Sequence, residues 1–343
     1  MGIFLAILAS SFGFMISDSS VIAAEVEQPS IARWPDGKAA AVSLRFDDGL
    51  ASHVDYVIPT LNENGLKATF MVNPGRERYR DFKSFWEVKV PRMGHDLGNH
   101  TMHHEGARTV EEADFEVGEV ARLIWRLYPD RSRLMVFASG GGAKWGGKDW
   151  EEAGPEYKAL VKKYDLIDLY DGKHPALSAG GSTDYAVIRA HILDAIRKGG
   201  HQPLLFHGIG TPGLLDRMKA VLRGYDLFFP RESFESLVAF LKQEKERLWI
   251  APLLEVLKYE TERESASLEI LARDRRRILL ALKIDASTEL YDRDLTLRIP
   301  IKEGQKVDSI RQGNRRIPVS SEKYGVVLAD VKPVSGPLEV YFQ

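Results

Sequence analysis

The chain has 343 residues, a formal net charge of −2 and 44% hydrophobic residues, enough to bury a substantial core in one large unit with a smaller one beside it. That near-neutral charge gives no electrostatic ground for nucleic acid or an anionic membrane surface as partner. Cysteine is absent, which excludes disulfides, a thiolate nucleophile and a lipidated cysteine; any bound metal must rest on nitrogen and oxygen ligands.

Residues 1–24 read as a cleaved export signal. An apolar stretch runs from Ile3 to Ile16, too short to span a bilayer comfortably, and small residues suited to cleavage follow at Ala23 and Ala24. No lysine or arginine precedes the stretch, so an uncleaved anchor or a misplaced start is the competing reading. The expectation is an exported protein, periplasmic or secreted, with no membrane span after cleavage. Residues 25–33 read as a linker, and Trp34-Pro35-Asp36-Gly37 as a turn into the first core strand.

That strand is an apolar run over residues 39–44. It ends in Arg45-Phe46-Asp47-Asp48-Gly49, delivering two adjacent carboxylates to a strand-to-loop corner. Neighbouring acids raise one another's pKa unless a cation lies near, so the pair points to a metal or proton-transfer site; an ordinary Asp-Gly turn is the alternative. A helix is expected over residues 53–64, capped at Asn64-Gly65, and then a buried strand over residues 68–72.

Gly98-Asn99-His100-Thr101-Met102-His103-His104 comes next. On one helical turn His100 and His104, four apart, project from the same face and can hold one ion. Thr101 stands where a zinc protease of the His-Glu-x-x-His type has its glutamate, so that reading fails. Two histidines and an aspartate leave a tetrahedral zinc site one position for water, as in catalytic rather than structural sites. His103 points elsewhere and supports the ligands at most.

Arg45-Phe46-Asp47-Asp48-Gly49 followed by His100-Thr101-x-x-His104 resembles the first two motifs of the polysaccharide deacetylases, carbohydrate esterase family 4. The resemblance covers roughly residues 34–262. It implies Asp47 as general base, Asp48, His100 and His104 as ligands of a divalent metal (Zn2+ foremost), and an acetylated polysaccharide or oligosaccharide as substrate. It also implies a distorted parallel (β/α) barrel with fewer than eight strands, in agreement with the alternation of strand and helix through the helix at 111–128 and the strand at 133–137.

After Phe137 the sequence departs from the family. Ala138 stands where an arginine that orients the base is expected, and Arg45, Arg133 and Lys144 are the cations able to replace it. The run Gly140-Gly141-Gly142 can offer amides to an oxyanion, with Gly141 the candidate contact; a plain loop is the alternative. Trp145 and Trp150 are candidate sugar-stacking rings, against the reading that they pack into the core. Residues 165–170 end a strand and correspond loosely to the family's fourth motif, whose aspartate orients the catalytic acid, without its tryptophan.

A buried strand over residues 200–206 presents His207 at its end. Alone, such a histidine is more often structural; beside the upstream motifs it matches the family histidine that protonates the leaving group. A helix over 228–246, a short strand at 248–250 and a helix over 253–264 close the barrel at residue 264.

From residue 265 to 343 period-two alternation takes over, as at residues 268–270, 278–284, 295–301, 326–328 and 338–342, with Arg275-Arg276-Arg277 as a hairpin turn. This reads as a small β-sandwich. All six tryptophans lie at or before Trp249, which favours a packing or spacer module over a sugar-binding one.

The sequence thus supports metal-dependent removal of acetyl groups from a carbohydrate, N-acetyl amino sugars first, with Asp47 as base and His207 as acid. An O-acetyl esterase and a degenerate metal-containing carbohydrate-binding protein are the competing readings.

Overall fold

A computed structural model describes residues 27–140, 144–146, 154–211, 218 and 227–343. The signal-like segment 1–24, Gly141 and Trp150 lie outside the described residues.

The chain begins with β1 (Ser30–Ile31) and the central strand β2 (Ala40–Phe46), whose residues are all buried. Strands β3 (Thr69–Val72), β4 (Asp96–Asn99), β5 (Met135–Phe137), β6 (Leu166–Asp168), β7 (Leu177–Ala179), β8 (His201–Phe206) and β9 (Leu248–Ile250) complete one parallel sheet. Its order is β6-β5-β4-β3-β2-β8-β7, with β9 pairing beside the start of β2. The seven-strand path begins at β6 and ends at β7, so the barrel is open there. This is the distorted parallel architecture expected from the sequence, and continuous apolar strands produce it because both faces of such a sheet are covered.

Alternation along β2 decides what each face meets. Ala40, Val42, Leu44 and Phe46 face the outer helices. These are α1 (Ile58–Glu63), α2 (Val110–Leu127), α3 (Pro155–Lys163), α4 (Tyr185–Lys198) and α5 (Arg231–Gln243). The opposite face carries Ala41, which packs with Trp34, Val256 and Tyr259. Helix α6 (Leu253–Ser265) fills this inner side: Leu253, Leu254 and Leu257 pack on Met71, Val136 and Ala138.

The C-terminal strands are β10 (Ala266–Arg273), β11 (Arg277–Ile284), β12 (Leu295–Pro300), β13 (Val307–Gln312), β14 (Arg315–Ile317), β15 (Val319–Lys323), β16 (Val326–Val331) and β17 (Gly336–Phe342). They form two antiparallel sheets, β10-β11-β17-β13-β14 and β1-β12-β16-β15. Ser30 and Ile31, read as linker, are therefore a strand of the second sheet, paired with Arg298 and Leu297. The Arg275–Arg277 run is the expected turn: the Asp274 carboxylate accepts from the backbone N–H groups of Arg276 and Arg277. One apolar cluster unites Trp34, Ala41 and Tyr259 with Leu280, Leu297, Val327 and Val340, so the β-module shares its core with the floor of the barrel. Among the described residues no helix is long and apolar enough to cross a membrane.

Candidate metal centre and acid-base site

The end of β2 carries the first part of the site. Arg45 and Asp47 are two apart on a strand and so share a face. Arg45 is 3% exposed and Asp47 1%. The guanidinium grips the carboxylate with two bonds, Nε to Oδ1 at 2.7 Å and Nη2 to Oδ2 at 2.6 Å. Of the three cations named as able to replace the family's arginine, the fold brings Arg45 to Asp47. Arg133 lies elsewhere, over the Trp125 ring at 3.6 Å, and Lys144 is exposed. Burial by itself would raise the Asp47 pKa, but the Arg45 charge, with His100 and His207, outweighs it and holds the carboxyl below its usual range.

Asp48 follows with φ of +80°, a left-handed conformation that swings its side chain off the strand line. Burial opposes its ionisation, yet the neighbouring His100, Arg78, His207 and His104 bring its pKa down to about 2. Arg78 Nη2 stands 3.1 Å from Asp48 Oδ1.

The histidines arrive from β4, on a loop rather than the helical turn that their spacing suggested. Thr101 and His104 have φ of +66° and +60°, which no right-handed helix contains. Side chains hold this path by competing for the backbone groups a helix would use. Asn99 Oδ1 accepts from the Thr101 N–H and Thr101 Oγ1 from the His104 N–H. Asn73 Nδ2 donates to the carbonyls of both His100 and Thr101. His103 anchors the far side: its backbone N–H and Nδ1 meet the two oxygens of Glu116 on α2, at 2.8 and 2.6 Å.

The result is a convergent triad. His100 Nε2 and His104 Nε2 each lie 3.8 Å from Asp48 Oδ1, and the three ligand atoms are within 4.8 Å of one another. His100 Nδ1 donates to the Ala138 carbonyl at 2.8 Å, which leaves Nε2 as a bare lone pair. That nitrogen is buried without a hydrogen-bond partner, and Asp48 Oδ1, buried beside it, has the Arg78 guanidinium as its ion-pair partner at 3.1 Å. A bare imidazole lone pair and a second imidazole converging on one carboxylate oxygen in a buried site form a donor set that fits a divalent metal, with Arg78 balancing part of the carboxylate's charge. Burial also lowers the His100 pKa to about 4, keeping the ring in the neutral, ligating form.

Gly140 closes the His104 side of the triad with φ of +97°. A Cβ there would stand 2.5 Å from His104 Nε2, so only glycine lets this loop lie against the ligand.

On the other flank β8 runs parallel to β2 with Phe206 beside Phe46, and the Asp47 N–H donates to the Phe206 carbonyl at 2.9 Å. His207 is the next residue and acts electrostatically on both Asp47 and Asp48. Its carbonyl accepts from Nε2 of His53, whose Nδ1 in turn accepts from the Leu50 N–H. His53 is fully buried in a π-helical turn (His53–Val57), and burial lowers its pKa to about 4. Sequence reading gives His53 only a place in a helix; its position six residues after Asp47 is the sole hint of this contact.

Two further candidates can be placed. Trp145 is 9% exposed and not at a rim: its indole N–H donates to the Ser139 carbonyl, and its ring meets Phe137 and Tyr157 edge-on. In the segment 165–170, loosely matched to the fourth motif, the Asp168 oxygens accept from the Tyr157 hydroxyl and the Tyr170 N–H at 3.0 Å each. An exposed ring near the site, among the described residues, is Tyr170, 47% exposed, with the Arg45 guanidinium 5.7 Å from its centroid.

The polysaccharide deacetylase family model matches residues 35–144, the span that holds Asp47, Asp48, His100 and His104, so the resemblance read from the two motifs is found there independently. Gellan lyase from Bacillus sp is 19% identical over 348 residues, which cover 90% of this chain and 13% of that protein; the chain thus spans a small part of that relative. Among solved structures, peptidoglycan deacetylase PdaC from Bacillus subtilis is 16% identical, with 66% of this chain and 94% of that chain covered and a TM-score of 0.40. A CE4 family pseudoenzyme from Bacillus anthracis is 15% identical over 63% of this chain and 65% of that one, with a TM-score of 0.37. A family 4 acetyl xylan esterase from Clostridium thermocellum, in complex with a cobalt ion, is 20% identical over 62% and 98%, with a TM-score of 0.35.

Proposed function

We propose that the chain, whose residues 35–144 match the polysaccharide deacetylases, is a metal-dependent hydrolase that removes acetyl groups from a carbohydrate. The observation that carries this reading is the convergence of Asp48, His100 and His104 beside the buried Asp47 and beside His207. Pure binding requires neither a base nor an acid at that point.

Asp48, His100 and His104 would hold the ion, zinc foremost, and its contribution would be Lewis acidity toward the acetyl carbonyl and a lowered pKa for water. Asp47, ionised and held by Arg45, accepts the proton of the attacking water. The paired guanidinium fixes the carboxylate's orientation. His207, on the opposite flank, donates a proton to the departing sugar nitrogen or oxygen. His53 holds the backbone from which His207 projects. The apolar segment before Ala23 and Ala24 supports the further proposal that the protein is exported.

The test is acetate release from acetylated oligosaccharides by metal-stripped protein, with and without zinc, alongside Asp47→Asn. The expected result is zinc-dependent release that falls about 10²–10⁴-fold in Asp47→Asn while zinc binding persists. The better substrate then decides amide against ester. Stoichiometric zinc binding without release from any substrate would replace this reading with the carbohydrate-binding one.

A further inference from the structure

The two carboxylates at the end of β2 each face an arginine. Arg45 holds Asp47, two residues on, whereas Arg78 reaches Asp48 from a different part of the chain, the short helix Glu77–Arg80 that follows β3. The segment between β3 and this helix is tied to the histidine loop at successive points. Asn73 Nδ2 donates to the His100 and Thr101 carbonyls, the Gly75 N–H to the Met102 carbonyl at 2.9 Å and Arg76 Nη1 to the His103 carbonyl at 2.9 Å. A Cβ at Gly75 would stand 2.4 Å from the His103 ring, so the two stretches lie as close as only glycine permits. Tyr79, 2% exposed, fixes the helix itself by stacking on Trp86. Arg78 is therefore placed by the same scaffold that places His100 and His104.

Its target is the atom on which the imidazoles converge. Asp48 Oδ1 has Arg78 Nη2 at 3.1 Å and the Nε2 atoms of His100 and His104 at 3.8 Å each. One oxygen is thus addressed by a permanent cation and, in the metal reading, by a divalent ion as well. Before loading, the guanidinium balances a largely buried carboxylate and keeps this ligand charged and in position. After loading, it acts in the opposite direction: it competes for the negative charge of the oxygen and repels a second cation close by.

We propose that Arg78 is a rival of the metal for Asp48, a fixed cation that loosens the hold of the centre on its ion and leaves that ion more strongly polarising toward the acetyl carbonyl. This rests on the metal-dependent reading for the identity of the competing cation. It gives Arg78 the reverse sign to Glu116, which anchors the histidine loop through His103. Removing an anchor weakens metal binding; removing a rival tightens it.

The experiment measures zinc affinity by chelator competition in metal-stripped protein for the native chain, Arg78→Met, Arg78→Gln, Arg78→Lys and Glu116→Gln. Both neutral replacements of Arg78 are expected to bind zinc about tenfold more tightly than the native chain, Arg78→Lys to stay within about threefold of it because the charge is kept, and Glu116→Gln to bind more weakly. With one apolar and one polar neutral side chain, the comparison stands if circular dichroism shows that either variant fails to fold. Unchanged or weaker binding in the neutral variants would overturn the rivalry and make Arg78 a support like Glu116. Equal tightening in Arg78→Lys would overturn it too, since charge would not be the cause. If the native chain binds no zinc, uptake by a neutral variant supports the rivalry while removing the metal-dependent reading of the native chain; no uptake by any of them overturns both.

Discussion

Arg45 and Asp47 form a buried charge pair whose energetics follow from its isolation. Attraction between the two offsets the cost of removing both from water, but either one alone would be an uncompensated buried charge. Arg45→Met is therefore expected to cost about 3–5 kcal/mol in urea unfolding, and the double variant Arg45→Met/Asp47→Leu to recover much of that loss. Recovery would show that the pair serves Asp47's role rather than the fold. At this scale the sequence was informative about types and spacing: two carboxylates at a strand end, and two histidines four apart. It left three cations open for one role, because the choice among Arg45, Arg133 and Lys144 depends on which side chain faces the barrel interior. His53 was hidden for a related reason, since a bond to the carbonyl of His207 leaves no pattern in side-chain types.

At the scale of elements, the parallel strands were legible because burial on both faces makes them continuous apolar runs, as in residues 40–46 and 69–72. Strands β13 to β15 were not, since polar and charged residues such as Asp308, Arg315 and Ser321 dilute the alternation and β14 and β15 lie at sheet edges. The histidine loop illustrates a different failure. A spacing of four suits a helix, but Asn99, Thr101 and Asn73 satisfy the backbone groups otherwise and bring both rings to one point through a tight loop. Its outer anchor is the His103–Glu116 contact, so Glu116→Gln is expected to weaken zinc binding about tenfold or more, measured by chelator competition, with little change in helix content.

For the molecule as a whole the shared core sets how it unfolds. Trp34 is 1% exposed, donates its indole N–H to the Gly199 carbonyl and stacks against Tyr259 within the cluster common to barrel and β-module. Trp34→Ala should cost about 3–5 kcal/mol and lower one joint thermal transition; two separate transitions in calorimetry would contradict the common core.

Proton linkage acts on the same scale. Burial lowers the pKa of His53, His95 and His100 to about 4 and that of His201 to about 3, from an ordinary 6.5. The unfolded chain then binds more protons below pH 6.5, so stability is lost as pH falls through that range toward 4. Glu262 works in the opposite sense. It is fully buried, with one oxygen accepting from the Arg293 N–H and the other without a partner, and burial pushes its pKa up to about 8 from 4.5. The unfolded chain gives up this proton first, so stability declines as pH rises from 4.5 to about 8. Metal-free protein should be most stable near pH 6.5, since four histidines outweigh one glutamate below it, and Glu262→Gln should abolish the alkaline decline. Urea midpoints across pH 4–9 check both arms.

The placement of strands along the chain also sets when a polypeptide growing from its N-terminus can fold. β1 waits for Arg298, the floor under β2 waits for residues 248–250, and the last strand, Gly336–Phe342, sits in the middle of its sheet between β11 and β13. Residues up to Phe342 must therefore have left the ribosome before Trp34 has its full set of neighbours. A chain that passes through a narrow secretion channel as an extended thread gains from such a delay, because premature folding would block the passage. The same ordering predicts that a product truncated before residue 336 is cleared by proteolysis rather than folding as a smaller unit.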